Sequence, residues 1–421
     1  MRTPTGRRAR VLWSAVSALL MLVLATQSVV ATVSWTAPVK SGPSGGYDYG
    51  RALARTVSST TSYLHEQYTF VNTTNPGVYY RRGNSTGSAW GTPKRMNRSG
   101  GYAEHGAIAA AGKDVYVAYE VIGSYAGFVP TDPRSIAIRV NTNHGSSTAW
   151  LGSRTLSTVA RVGRPSVAAT GTYGYAVYTD ADSGGIVFAS NTGVNAAAVG
   201  WVTRNIGLTT REAKNGNGFE GEPVVAAVGA LVLVAWISQD GGRIVAKVST
   251  DHGVTWPVGP TTLATAQVWD LSAAAASGRL GLAWAQASGI RARLHRSGAW
   301  RSTRSIATFT STGTYRAGYG TAIALAGTGR VAIAWSACTR TDCSAGSRKG
   351  VNVRWRESTD NLSTQKPAVT IASYTAGSAR RINDYPSIIL TSRPRRYIVY
   401  NVANSSLSTF NLLFELGTGT P

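Results

Sequence analysis

One four-part pattern recurs along this chain and constrains its fold more than anything else in it. The segment "GEPVVAAVGALVLVAWISQDGGRIVAKVSTDHGVTWPVGPTTL" reads as four short strands, "PVVAAV", "LVLVAW", "RIVAKVST" and "TWPVGPTTL", parted by glycine-bearing turns. The first two strands return in "HGAIAAAGKDVYVAYE", "GRPSVAATGTYGYAVYT", "LSAAAASGRLGLAW", "TAIALAGTGRVAIAW" and "YPSIILTSRPRRYIVY". Each second strand closes on an aromatic: Tyr119, Tyr178, Trp236, Trp284, Trp335 and Tyr400. The fourth strand returns behind a Trp in "AWGTPKRM", "AWLGSRTL", "GWVTRNI" and "AWRSTRSI". No long stretch carries apolar residues at helical spacing.

Repeated four-stranded units of this length are the signature of sheets arranged radially. Small first strands suit a crowded axis, and the large aromatics suit the wider space farther out. First strands begin near Gly50, Gly106, Pro165, Pro223, Leu271, Thr321 and Pro386, and fourth strands near Trp35, Trp90, Trp150, Trp201, Trp256, Trp300 and Ser363. The last repeat ends at "TFNLLFEL" without a fourth strand, and "VSWTAPV" near the start supplies one. The expectation is an all-β, seven-bladed β-propeller, a single domain over residues 32–421, closed by pairing its N- and C-terminal strands. Six blades is the alternative, if residues 47–70 are an appendage.

Residues 1–31 read as a cleaved signal peptide: four arginines, then the apolar run "VLWSAVSALLMLVLA", then small residues. The mature chain is expected to be secreted and extracellular, with no transmembrane segment. Losing those arginines takes the formal charge from +23 to +19. Such a basic surface steers anionic partners toward it, and arginine suits carboxylate and sulfate forks. The two cysteines, Cys338 and Cys343, are expected to pair across a short loop.

The stretch "STDHGVTW" fits the pattern S-x-D-x-G-x-T-W, the Asp box, and so resembles the BNR repeat of sialidase-like secreted propellers. "NTNHGSSTAW" and "STDNLST" occupy the same place in other repeats in worn form. Its residues suit a turn clamp. Asp251 can accept local N–H groups, Gly253 allows a positive φ, Trp256 buries a ring, and Ser249 and Thr255 flank the turn. His252 sits in a free slot and is expected to face solvent.

Chemistry is expected instead at the axial mouth, from the residue just before each first strand: Tyr49, His105, Arg164, Glu222, Asp270, Gly320 with Tyr319 beside it, and Tyr385. By the sialidase resemblance, Tyr385 is similar to the nucleophile, Glu222 to its partner, Asp182 to the acid/base and Arg164 to a carboxylate-binding arginine. His105, Arg164 and Tyr385, joined by Tyr49, are also types suited to a polysaccharide lyase that neutralises a uronate and removes its α-proton. Sialidases have six blades, and the family's other two arginines find no counterpart here. The reading therefore favours binding of an acidic glycan over turnover, with His105, Arg164, Tyr49, Asp270 and Tyr319 as contacts. A protein-interaction platform is the third class. No phosphate loop, metal motif or nucleic-acid motif is present, so neither a cofactor nor a specific nucleic-acid partner is expected. Asp180 and Asp182 could hold Ca²⁺, but a polar turn is the expected role. A monomer is expected.

Overall fold

Seven sheets, each running antiparallel from an inner strand outward, form a β-propeller in the computed structural model. The structure describes residues 33–419 except 42–45, 48–51, 59, 71–76, 100, 127–128, 158–161, 181, 192–199, 209–222, 239–241, 311–314, 328, 340–350, 373–381, 393 and 404–409. Blade 1 spans residues 46–95, blade 2 102–155, blade 3 162–208, blade 4 224–265, blade 5 268–308 and blade 6 315–372. Blade 7 takes Ile382–Leu390, Arg396–Ala403 and Phe410–Thr418, and its outer edge is supplied by Ser34–Trp35 and Val39–Lys40. The register Ser34↔Thr418 and Val39↔Phe414 closes the ring, as the orphaned opening strand implied. Closure leaves no unpaired strand between the chain's two ends. Residues 47–70 belong to blade 1: Gly46–Tyr47 and Leu53–Val57 both pair with Ser62–Phe70, so the count is seven.

Both faces of each sheet are covered, which explains why the second strands are apolar at nearly every position. In blade 2, Tyr116 and Ala118 pack toward blade 3, whereas Val115, Val117 and Tyr119 pack toward blade 1. The strand's period of two deals alternate side chains to the two neighbours. Each junction between adjacent blades has its own apolar cluster, all the way round to blades 7 and 1. The aromatics that close the second strands, Tyr119, Tyr178, Trp236, Trp284, Trp335 and Tyr400, are all buried in these clusters. All three tyrosines also satisfy their hydroxyls: Tyr119 Oη donates to Met96 O at 3.0 Å, Tyr178 Oη to Leu156 O at 2.9 Å and Tyr400 Oη to Glu415 Oε1 at 2.6 Å.

In blades 2, 3, 5, 6 and 7 the first strands start earlier than the repeat suggests. They run Tyr102–Ala111, Val162–Thr170, Val268–Ala276, Tyr315–Ala326 and Ile382–Leu390, each with a register shift partway along. The axial residues His105, Arg164, Asp270, Gly320 and Tyr385 thus lie within or beside a β-bulge, not ahead of the strand. The extra residue breaks the alternation that marks a strand in sequence, so the strand looks shorter than it is. His105 and Tyr385 pay for the bulge with left-handed backbone, φ 49° and 46°, and Gly320 takes φ 94° without a Cβ.

The hairpin at "STDHGVTW" is a clamp. Ser249 Oγ donates to Asp251 Oδ1 at 2.6 Å and accepts Gly253 N at 2.9 Å. Asp251 in turn accepts Thr255 N at 2.9 Å and Thr255 Oγ1 at 2.5 Å, and Trp256 Nε1 donates to Gly253 O at 3.1 Å. These bonds hold the Asp251 carboxyl down at about 2. The worn copy in blade 6 keeps the whole clamp without its Gly or Trp. Asp360 accepts Ser358 Oγ at 2.8 Å, Thr364 N at 2.8 Å and Thr364 Oγ1 at 2.6 Å, and Leu362 takes the glycine's place at φ 66°. His252 does not face solvent as expected. It stacks on Tyr173 of blade 3 with ring centroids 3.9 Å apart, and its Nδ1 lies 3.0 Å from Tyr175 Oη. The hairpin tip reaches the neighbouring blade, a contact that its place in the repeat does not reveal.

Cys338 is disulfide-bonded and 2% exposed at the end of Arg330–Thr339; Cys343 lies outside the described residues. Among the described residues, no helix is long and apolar enough to cross a membrane.

Candidate functional site

The inner strands of all seven blades surround a narrow axial channel of about 140 Å³. Of the expected ring, Asp270, Gly320 and Tyr385 line it. His105 and Arg164 stand just upstream of lining residues of their own strands, Ala107 and Ser166. Tyr49 and Glu222 lie outside the described residues, as does the side chain of Tyr319. Tyr385 is 5% exposed, and its backbone packs against Gly320, where any Cβ would overlap it.

Several channel groups stitch blades together. Asp270 accepts Thr321 Oγ1 at 2.6 Å and also the Thr321 backbone N–H, joining blade 5 to blade 6. Ser387 Oγ accepts Leu53 N at 3.1 Å across blades 7 and 1, and Ser166 Oγ accepts Val225 N at 3.2 Å across blades 3 and 4. Gln67 Nε2 donates to Gly106 O at 2.8 Å across blades 1 and 2. Neighbouring inner strands that converge on an axis need such bonds, because their backbone groups have no sheet partner between blades. Sequence reasoning missed Ser166, Thr321 and Ser387, which are small residues inside apolar runs.

A cluster of ionisable groups lies at the mouth end of blade 2. His105 Nδ1 lies 2.7 Å from Glu120 Oε2, and Arg134 Nη1 donates to Glu120 Oε1 at 3.2 Å. Glu120 is almost fully buried, whereas His105 and Arg134 keep 14% and 22% of their side chains exposed. Burial alone would raise the Glu120 carboxyl; the His105 and Arg134 contacts outweigh it and bring it below the usual carboxylate range. The bulge makes this cluster, since Glu120 pairs with Glu104 across the ladder and the extra residue brings His105 to the carboxylate. A Glu closing the apolar run "VYVAYE" was the available signal for Glu120, and it was overlooked.

Blade 3 carries Arg164 and Asp182 at the same end of its sheet, where Val162 pairs with Asp180. Arg164 is half-buried and Asp182 is exposed. Asp180 uses its carboxylate to hold the turn: Oδ1 accepts Asp182 N at 3.0 Å, and Oδ2 accepts Ser183 Oγ at 2.6 Å. That is the geometry of a polar turn. Among the described residues, no group of three or more His, Cys, Asp or Glu side chains is placed to hold a metal ion.

No family model and no curated protein matches this chain. Solved structures do. A Trypanosoma rangeli sialidase in complex with sialic acid is 10% identical, covering 92% of this chain and 59% of that one, with a TM-score of 0.46. A fungal lectin from Aleuria aurantia, a six-bladed propeller with fucose recognition, is 10% identical over 80% of this chain and 100% of that one, with a TM-score of 0.44. A protein of unknown function from Dyadobacter fermentans is 9% identical over 91% and 98%, with a TM-score of 0.50. The chain thus spans about three fifths of the length of that sialidase. At such identities the likeness is one of fold alone, and of the three only the Dyadobacter fermentans protein reaches a TM-score of 0.50.

Proposed function

We propose that this protein is an exported propeller of the sialidase-like kind that binds an acidic glycan over its axial mouth, without turning it over. The observation that carries the reading is the His105–Glu120–Arg134 cluster, set at the mouth end of blade 2 with the imidazole and the guanidinium both partly open to solvent. Arg164 in blade 3 and Tyr385 in blade 7 occupy the corresponding bulges. Arginine matches a sugar carboxylate with paired N–H donors, and the formal charge of +19 left without the four N-terminal arginines draws such polymers in.

The engagement of Asp270 with Thr321 gives that carboxylate to a blade contact, so the ligand is met by His105, Arg164 and Arg134. Calorimetric titration with polysialic acid and polygalacturonate tests the reading. Binding is expected to weaken about tenfold in Arg164→Ala and in His105→Ala, about 1.4 kcal/mol each. Release of a fluorogenic aglycone from a sialoside, or ultraviolet absorbance from unsaturated uronate, would replace the binding reading with one of the enzyme readings. Silence in both assays together with a blank array of acidic glycans would end the axial reading.

A further inference from the structure

A larger cavity opens on the flank of the ring, away from the axis. It encloses about 560 Å³ between blades 1 and 2, and its walls include Tyr63, Tyr80, Arg82, Lys94 and Trp150. Pockets that hold small ligands have volumes of about 300–1,000 Å³. No aspartate or glutamate is among the described residues that line it.

The junction of blades 3 and 4 has corresponding parts and is closed. Tyr173 pairs with Thr170 as Tyr63 pairs with Thr56, and Tyr175 pairs with Ser190 as His65 pairs with Arg82. Phe188 meets Trp256 edge-on at 5.0 Å, and Tyr80 meets Trp150 edge-on at 4.7 Å. The tips differ. His252 lies flat on Tyr173 at 3.9 Å, whereas His144 is 5.9 Å from Tyr63 and tilted by 44°. In its place Arg82 covers the Tyr63 ring, its guanidinium carbon 4.8 Å from the centroid, at the register position that Ser190 fills in blade 3. An arginine has replaced a serine in the wall, and the hairpin tip stands off.

The open form is built rigidly. Asn141 folds the tip, its Oδ1 accepting Gly145 N at 2.8 Å and Asn143 N at 3.0 Å and its Nδ2 donating to Ser146 O at 2.6 Å. Beneath it, the buried His65 bridges Thr56 Oγ1 and Tyr80 Oη, each at 2.8 Å, and Tyr80 Oη donates to Gly145 O at 3.3 Å. Burial drives His65 down to about 3, so it is neutral and its two nitrogens take one role each. Only glycine fits at 145, where φ is 73° and a Cβ would overlap Tyr80 Oη. Lys94 Nζ donates to Ser147 O at 2.7 Å across the opening.

We infer that this cleft is a second carbohydrate site that takes one anionic pyranose, its charged group met by Arg82 and Lys94 and its apolar face set against the half-buried Trp150. A half-exposed aromatic ring offers an apolar face, and arginine pairs with carboxylate or sulfate. A wall ordered in advance limits the entropy lost on binding. The site shares no residue with the axial mouth and does not depend on that reading.

The test is calorimetric titration of the full chain with tetragalacturonate, with a sulfated chondroitin disaccharide and with neutral maltotetraose. The first two arms separate carboxylate from sulfate as the source of charge. Binding of at least one anionic probe is expected, about tenfold weaker in Arg82→Gln and in Lys94→Gln. Ser147→Tyr, at an exposed position on the rim, is expected to abolish it by filling the opening while Arg164→Ala leaves it intact. The inference is overturned if neither anionic probe binds, if maltotetraose binds as tightly, or if Ser147→Tyr changes nothing. Loss of binding in Arg164→Ala alone would assign the ligand to the axial mouth.

Discussion

His105 Nδ1 stands 2.7 Å from Glu120 Oε2, and that distance exists because one extra residue in the inner strand of blade 2 swings the imidazole onto a carboxylate of the second strand. Glu120 also holds Arg134, and almost none of the carboxylate reaches water. Removing one member of a buried ion pair leaves the others without compensation, at a cost of about 3–5 kcal/mol. Solvent reaches His105 and Arg134, so Glu120→Ala is expected near the lower end, about 3 kcal/mol in urea unfolding. The folded carboxyl lies below its ordinary range, so its contribution is present above the unfolded pKa and lost as pH falls through the folded one. Wild type should therefore lose its advantage over Glu120→Gln in acid; an unchanged difference down to the acid limit would refute the pairing.

Two other carboxyls should act with the opposite sign. Burial raises Glu66, which accepts Ser41 Oγ at 2.5 Å, and Glu415, which accepts Tyr400 Oη at 2.6 Å, each from 4.5 to about 7. Both flank the closing seam: Ser41 follows the N-terminal edge strand, and Glu415 lies in Phe410–Thr418. A raised carboxyl stabilises the fold fully below its unfolded pKa, and this is lost as pH rises through the folded value. Each should cost about 1.4 kcal/mol per pH unit between about 4.5 and 7. His65 opposes this slope, so the difference between wild type and Glu66→Gln is the quantity to measure by denaturant titration. A difference that is flat with pH would refute the assignment.

Blades 6 and 7 are joined by a buried triad. Glu357 accepts Arg330 Nη2 at 2.6 Å and Arg396 Nε at 2.6 Å, and Arg396 is wholly buried. Arg396 Nη1 also donates to Gly419 O at 3.0 Å, so the triad anchors the C-terminal edge. Glu357→Ala is expected to cost about 3–5 kcal/mol. Glu357→Met paired with Arg396→Leu is expected to recover much of that loss, because it removes the wholly buried charge and leaves only Arg330, which is partly exposed and keeps its bond to Thr391 O at 2.5 Å. Equal instability of the single and double variants in guanidinium unfolding would count against this account.

The clamp of blade 4 should matter for stability and not for ligands. Asp251→Ala removes the acceptor for Thr255 N and Thr255 Oγ1, so a lower melting temperature with unchanged glycan affinity is expected. Asp360→Ala should behave alike, since blade 6 makes the same bonds. A selective loss of binding in either variant would show that the hairpin takes part in recognition.

Much of the architecture was legible in sequence because each repeat must bury both sheet faces. Tyr119, Tyr178, Trp236, Trp284, Trp335 and Tyr400 therefore stand out in six of the seven copies, and all are buried. The missing last strand likewise announced the pairing of Ser34 with Thr418. The site was less legible. The bulges at His105 and Tyr385 hide inside short apolar runs, and Glu120 sits in the strand beside His105, a pairing that appears only when the ladder register is known.

Periodicity and side-chain volume thus determined the blade and the seam and favoured seven blades over six, because these follow from local alternation and from counting, and the pairing of Gly46–Tyr47 and Leu53–Val57 with Ser62–Phe70 decided the count. Tertiary structure alone decided where the polar groups went. Asp270 became a blade-to-blade acceptor, His252 a stacked partner of Tyr173, and Arg82 the wall of an open cleft. The first two depend on contacts with a neighbouring blade, and the cleft takes its walls from blades 1 and 2. Hydrogen bonds and ring contacts act over a few ångströms between blades, and no pattern within a single repeat encodes them.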